Sequence, residues 1–266
     1  MNDAPVGIFD SGIGGLTVAR AIFHHLPAES TLYYGDTARV PYGPKSPDTV
    51  RRYSREILDW LVGEGVKAVV VACNTSTAHA LDALRAASPV PVLGVIEPGA
   101  RAAVRATRGG GIGVIGTAGT VASNAYRRAI QVLNADARVE QQACPLFVPF
   151  VEEGWFDHPA ARLVAAEYLG PLERAGIDAL VLGCTHYPLL KPMLGELLGP
   201  RVTLIDSGEE TARALAEVLA SGGLEASGGL PPTHRFVVSD DAGRFQAVGA
   251  RFIGERLDRA DVIPMD

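Results

Sequence analysis

The sequence predicts an α/β protein of two similar parallel-sheet lobes, an internal duplication, with the active site in the cleft between them. Three observations carry this expectation. Continuous apolar strands alternate with amphipathic helices, the pattern of a parallel sheet covered on both faces. The order of parts then repeats. VGIFDSG from Val6 matches IGVIGTAG from Ile112, Val40-Pro41 matches Val148-Pro149, Cys73 matches Cys184, and Leu93 matches Leu204, at offsets of 106, 108, 111 and 111 residues. Four ordered matches with slowly growing offsets point to duplication. Finally, two of the three cysteines close matching apolar strands, KAVVVACNTST and DALVLGCTHYP.

Taken in order, Val6 to Phe9 is a short strand running into Asp10, Ser11 and the glycines of DSGIGG, and Leu16 to Leu26 is an amphipathic helix. Thr31 to Tyr34 is the next strand, followed by the Pro- and Gly-rich loop GDTARVPYGPKSP. Thr49 to Val62 has helical spacing, with Val50, Tyr53, Ile57, Trp60 and Leu61 on one face. The strand to Cys73, a helix Ser76 to Ala87, a strand Val90 to Ile96 and a helix Pro98 to Ala106 complete the first series. The second series has strands Ile112 to Ile115, Arg138 to Cys144, the strand to Cys184, and Val202 to Ile205. Its helices are Ser123 to Leu133, Ala161 to Ala175, Leu189 to Leu198 and Glu209 to Ala220. Ser221 to Pro232 lacks periodicity and reads as a linker. The tail adds a strand, Arg235 to Ser239, expected at a sheet edge, and a helix, Ala242 to Leu257.

Composition narrows the function. The 266 residues are 47% hydrophobic and 20% charged, values of an ordinary globular chain. Net charge is -6, with no basic run, which argues against a nucleic-acid partner. The apolar runs are strand-length and MNDAPVGIFDSG is no signal peptide, so a membrane is not expected and a cytoplasmic location is. An odd count of three cysteines without an export signal favours free thiols.

In a parallel α/β sheet, ligands bind beyond the carboxyl ends of the strands. DSG, GTAGT, CNT, CTH and the two VP loops all fall there. Helix N-termini at these ends favour an anion, and Ser11, Asn74, Thr75, Thr117 and Thr185 add side-chain donors. The site suits a small carboxylated molecule. A thiol at a helix N-terminus or beside a cation becomes more acidic, which is the expectation for Cys73 and Cys184. His186 lies two residues beyond Cys184, on the same side if the strand continues, and Asp10 has Gly116 as its counterpart. Two similar thiols with different helpers suit two bases on opposite faces of one carbon. If that carbon acid were about ten units weaker than a thiol, the gap would be about 14 kcal/mol, which a preorganised dry site must largely offset.

Other readings carry less. Cys144 in ACPLF reads as a core residue. A metal held by Cys73, Cys184 and His186 lacks the usual close ligand pairs, so no metal is expected. No C-x-x-C supports a redox pair. Gly111 to Gly116 matches a dinucleotide fingerprint as a string but lies within a strand instead of after one. Asp36 caps its loop or touches substrate with equal weight, as do a turn and a site role for Glu152 and Glu153. The remaining histidines (His24, His25, His79, His158 and His234) read as surface or structural.

GIFDSGIGGLTV, YYGDTARVPYGPKS, VVACNTSTA, IGVIGTAGT, FVPFVEEG, LVLGCTHYPLL and LIDSGEETA together resemble the glutamate racemases of the aspartate/glutamate racemase family, in unbroken order from about Val6 to Ala212. The resemblance implies interconversion of L- and D-glutamate for peptidoglycan without a cofactor, in a homodimer. It implies a fold whose C-terminal segment returns to the first lobe, giving 1–97 with 211–266 as one lobe and 98–210 as the other. It further implies that Cys73 and Cys184 exchange protons with substrate, assisted by Asp10 and His186 respectively, with Glu152 near the site. Asp10 with Ser11, Tyr42 with Gly43 beside Pro41, Asn74 with Thr75, and Thr185 with His186 would bind substrate. Ser76 stands where other members often carry alanine. The chain begins only a few residues before its first strand, so activation by a cell-wall precursor, which the resemblance ties to an N-terminal extension, is not expected. An aspartate racemase and a non-catalytic binder of acidic metabolites are the alternatives. Retention of both thiols argues against the binder.

Overall fold

The computed structural model describes residues 2–254 and 257–265. In the first series, β1 (Val6–Asp10), α1 (Leu16–His25), β2 (Thr31–Gly35), α2 (Pro47–Gly63), β3 (Ala68–Val71), α3 (Asn74–Ala87), β4 (Val92–Gly94) and α4 (Ile96–Ala106) follow one another. The second runs β5 (Gly111–Gly116), α5 (Ala118–Ala122), α6 (Ala125–Leu133), β6 (Val139–Ala143), α7 (Phe147–Glu152), α8 (Pro159–Arg174), β7 (Ile177–Gly183), α9 (Lys191–Leu198), β8 (Thr203–Asp206) and α10 (Ser207–Ser221). The tail contributes β9 (His234–Val238), α11 (Ala242–Ile253) and β10 (Asp261–Val262).

All the strands pair in parallel, in two sheets ordered β10-β9-β2-β1-β3-β4 and β6-β5-β7-β8. Removing the tail strands leaves the same order in both, with β1 equivalent to β5 and β3 to β7. The repeat seen in sequence is therefore a repeat of topology. Central strands such as β3 and β5 are buried along their whole length, as their unbroken apolar runs require. Helix α4 packs its Ile96, Ala100 and Ala103 with Ile112, Val114 and Val181 of the second sheet. One larger core cluster runs through both sheets, from Val6 and Ile8 to Leu180 and Leu182.

Several boundaries differ from expectation. Strand β9 is not at an edge: it pairs with β2, and the two-residue β10 lies outside it. Helix α11 ends at Ile253 because Gly254 takes the left-handed conformation (φ 84°) that closes a helix. The expected continuation to Leu257 crosses residues 255 and 256, which lie outside the described residues. GTAGT is no plain loop, since Thr117 caps α5 and left-handed Asn124 separates α5 from α6. The second VP loop is partly helical, as α7, whose Pro149 lies in the first turn, where a proline removes only an N–H that has no helical partner. Ser46 caps α2 and starts it two residues before the expected Thr49. Among the described residues, no helix is long and apolar enough to cross a membrane.

A buried ion pair ties the tail of the first sheet together. Lys67 Nζ lies 2.5 Å from Glu29 Oε2 and donates to the Asn2 carbonyl, while Glu29 Oε1 accepts from the Ala226 amide. Removing one partner strands the other charge away from water, which typically costs about 3–5 kcal/mol. We expect Lys67→Met to lower the urea midpoint by an amount equivalent to about 3 kcal/mol or more, and Lys67→Met with Glu29→Met to recover much of it. Equal midpoints for wild type and the single variant would contradict this.

Candidate active site

The chain reverses its direction of winding between β1 and β3 and again between β5 and β7. Beyond the carboxyl ends of strands at such a reversal, the flanking helices leave a crevice. Just beyond these ends stand Ser11, Cys73, Thr117 and Cys184. All four line one small cleft of about 50 Å³. Its walls also include Pro41, Tyr42, Gly43, Asn74, Thr75, Glu152, Thr185 and His186, with Gly12, Ile13, Val40 and Val148 between them. Of the residues expected to exchange protons with substrate or to bind it, Asp10 alone is absent from the wall, and it is buried behind it, 1% exposed at the end of β1. A larger groove of about 680 Å³ between α1, α9 and α11 contains neither thiol.

The cleft is closed by contacts between the two halves. Gly119 N donates to Gly43 O at 2.9 Å, and Thr17 Oγ1 donates to Thr185 O at 3.0 Å. Thr75 and Thr117 share a 2.9 Å hydrogen bond, and the Tyr126 hydroxyl donates to Asn74 Oδ1 at 2.7 Å. Gly14 permits the closest approach, since a Cβ there would stand 2.2 Å from Thr185 Oγ1 and 2.4 Å from His186 Nδ1.

Cys73 caps α3, which begins at Asn74, two residues before the expected Ser76. Its sulfur accepts from Ser76 N at 3.5 Å and lies 3.7 Å from Ser11 Oγ. A helix N-terminus alone would make this thiol more acidic, but burial, with the Asp10 carboxylate second, pushes it up to about 11. The sequence expectation of a lowered value is therefore wrong for Cys73, because desolvation outweighs the helix end. Burial also raises Asp10, against the opposing pull of His186 and of backbone N–H donors. Asp10 Oδ2 accepts from Gly12 N at 2.9 Å, whereas Oδ1 is buried without a partner among the described residues.

Around Cys184 the partners are different. The chain does not continue as a strand after Gly183 but turns, and His186 Nδ1 comes to 3.9 Å from the sulfur. His186 Nε2 is 3.1 Å from Glu152 Oε1, so Glu152 acts as the orienting carboxylate and Glu153 lies outside the cleft. Burial disfavours the imidazolium, yet its hydrogen bonds to Cys184 and Glu152 outweigh that and raise His186 to about 10. The hydrogen bond to His186 in turn lowers Glu152. Negative charge developing on Cys184 is thus met by a cation, whereas Cys73 has a carboxylate for a neighbour.

Several supporting residues were not legible in sequence. Arg244 Nη2 reaches Glu152 Oε2 at 3.1 Å, Arg251 Nη1 donates to the Glu152 carbonyl at 2.8 Å, and Phe252 meets the His186 ring edge-on at 5.2 Å. All three lie on α11, the tail helix that looked least distinctive. Asp36 is wholly buried and accepts from Tyr42, Arg39 and Ser239, so it holds the Pro41-Tyr42-Gly43 loop and does not itself line the cleft. Cys144 is buried with its sulfur 3.6 Å from the Gln142 carbonyl, in keeping with a core role. Gly111 to Gly116 is strand β5 itself, so the dinucleotide string has no loop to offer. Among the described residues, no group of three or more His, Cys, Asp or Glu side chains is arranged to hold a metal.

The raised His186 gives a pH dependence. The folded protein holds this proton up to about pH 10, whereas an unfolded chain releases it near 6.5. Between these values the folded state binds more protons, so its contribution to stability is full below 6.5 and is lost as pH rises towards 10. We expect the denaturation midpoint of wild type to fall across this window more steeply than that of His186→Asn. Parallel curves would contradict the assignment.

Comparison with known proteins agrees with this geometry. The profile of the Asp/Glu/Hydantoin racemase family matches residues 14–215. A glutamate racemase of Geobacter metallireducens is 55% identical over 252 residues, covering 95% of this chain and 93% of that one. The crystal structure of a glutamate racemase isoform from Bacillus anthracis superimposes with a TM-score of 0.94 at 42% identity, covering 100% of this chain and 98% of that one. The structure of the Francisella tularensis glutamate racemase in complex with D-glutamate gives a TM-score of 0.93 at 36% identity, covering 100% and 99%. With its two thiol-ended strands, its repeated sheet order and these relatives, the chain belongs to the Asp/Glu/Hydantoin racemase family, among the glutamate racemases.

Proposed function

We propose that this protein interconverts L- and D-glutamate by a two-base proton transfer between Cys73, Cys184 and the α-carbon, without a cofactor. The observation that carries the proposal is the pair of buried thiols, at equivalent ends of β3 and β7, lining one cleft with different partners. In one direction a thiolate removes the α-proton and the opposite thiol delivers its own proton to the other face. The roles exchange in reverse. A single base returning its own proton would tend to retain configuration, so inversion accounts for two thiols.

Each side has its own route for the proton. At neutral pH Cys73, raised by burial, is a proton donor; to act as base it passes its proton towards Asp10, whose unpartnered Oδ1 can take it. The positive ammonium of the substrate also offsets the negative field of Asp10 at that sulfur. Cys184 exchanges with His186, held by Glu152, itself braced by Arg244. The N-terminus of α3 and the donors Asn74, Thr75, Thr117 and Thr185 receive the substrate carboxylates and stabilise charge as it moves from the α-carbon onto carboxylate oxygen. Ser11, Tyr42 and Gly43, beside Pro41, complete the walls.

A cleft of about 50 Å³ holds only a few waters, so substrate access requires its walls to part. The corresponding proposal for the chain is two lobes, 1–97 with 211–266 and 98–210. Sheet membership and the packing of α4 on the second sheet support that division. We place this activity in a cytoplasmic homodimer that supplies D-glutamate to peptidoglycan, the setting that the sequence resemblance implies.

The test is metal-free protein with L-glutamate in D2O and no added pyridoxal phosphate, with L-aspartate in parallel. We expect optical rotation to vanish as deuterium enters the α-position of glutamate, with aspartate inert. Loss of an acid–base group commonly costs 10²–10⁴-fold, and we expect a fall of about that size in kcat for Cys73→Ala and for Cys184→Ala. No exchange by wild type, or full activity in either variant, would refute the mechanism.

A further inference from the structure

Tyr126, on α6, is wholly buried and donates its hydroxyl to Asn74 Oδ1 at 2.7 Å. Asn74 opens α3 immediately after Cys73, so this bond crosses from the covering of one sheet to that of the other. The phenol ring fits against two glycines. A Cβ on Gly183, the residue before Cys184, would stand 3.0 Å from its Cε2, and one on Gly99 would stand 3.3 Å from its Cε1. One ring therefore packs on the backbone leading to Cys184 while its hydroxyl holds the side chain that follows Cys73.

A carboxamide has an acceptor end and a donor end. With Oδ1 engaged by Tyr126, Asn74 Nδ2 is left buried and has no partner among the described residues, although Asn74 lines the cleft. Buried donors are nearly always paired, so an unpaired one in a cleft wall points to a ligand acceptor.

We propose that Tyr126 is a positioning residue that sets the Asn74 carboxamide so that its NH2 group is presented to a substrate carboxylate. The inference rests on reading the cleft as the amino-acid site. Phenylalanine at 126 would keep the ring between Gly99 and Gly183 but release the amide to rotate.

The test is a double-mutant cycle of Tyr126→Phe and Asn74→Ala, read with L-glutamate. For a single neutral hydrogen bond we expect Tyr126→Phe to raise KM about three- to tenfold with kcat changed less than about twofold. Because Tyr126 acts through Asn74, its substitution adds nothing in the Asn74→Ala background. An unchanged KM, or additive effects in the double variant, would overturn the proposal, the latter marking a structural role only. A second measurement does not depend on the substrate. In 15N–1H spectra of the ligand-free protein, the Asn74 side-chain NH2 pair should shift or broaden in Tyr126→Phe, and an unchanged pair would overturn the proposal. A changed pair in a wild type inert towards glutamate would retain the positioning role and refute the substrate.

Discussion

The fold depends on a constraint of parallel sheets: the only open ground for chemistry lies beyond the carboxyl ends, where winding reverses. Here that constraint is applied twice. Because β2-β1-β3-β4 and β6-β5-β7-β8 have the same order, Cys73, two residues beyond β3, and Cys184, directly after β7, stand beyond the ends of equivalent strands. The two halves meet with these ends facing each other, held by Thr17 to Thr185, Gly119 to Gly43, Thr75 to Thr117 and Tyr126 to Asn74. Each of these contacts uses a small or polar group at a loop or first helical turn, and Gly43, Asn74, Thr75, Thr117 and Thr185 belong both to the seam and to the cleft wall.

Within this near-symmetry the electrostatics of the two thiols are opposed. Cys73 sits at a helix N-terminus but is buried beside Asp10, and the thiol form is favoured. Cys184 has a protonated imidazole, fixed by Glu152 and, behind it, by Arg244 and Arg251 of the tail helix. A site with these two environments begins with Cys73 suited to give a proton and with a cation placed beside Cys184. The unpartnered oxygen of Asp10 and the unpartnered nitrogen of Asn74 are costs to the folded state that a substrate or a moving proton can relieve.

Much of this was legible in the chain because it depends on local pattern. The apolar runs of β3 and β7, the small polar residues after Cys73 and Cys184, and the repeat offsets are all short-range signals. The sites of error are those where tertiary context decides. A helix-end rule for Cys73 loses to burial and Asp10, which lies on a neighbouring strand. His186 reaches Cys184 through a turn and not through strand alternation. Tyr126 and Arg244 carry no motif, since each matters only through a partner 52 or 92 residues away in the chain. The two-residue β10 is too short for periodicity to reveal.

The central claim is that two chemically distinct thiols address opposite faces of one carbon. Its most direct test is enantiomer-specific exchange: Cys73→Ala and Cys184→Ala, each incubated in D2O with L-glutamate and separately with D-glutamate, followed by NMR of the α-position. Each variant keeps one base, so each should exchange the α-hydrogen of one enantiomer only, without racemising it, and the two variants should choose opposite enantiomers. Exchange of the same enantiomer by both variants, or racemisation by either at the wild-type rate, would contradict the account.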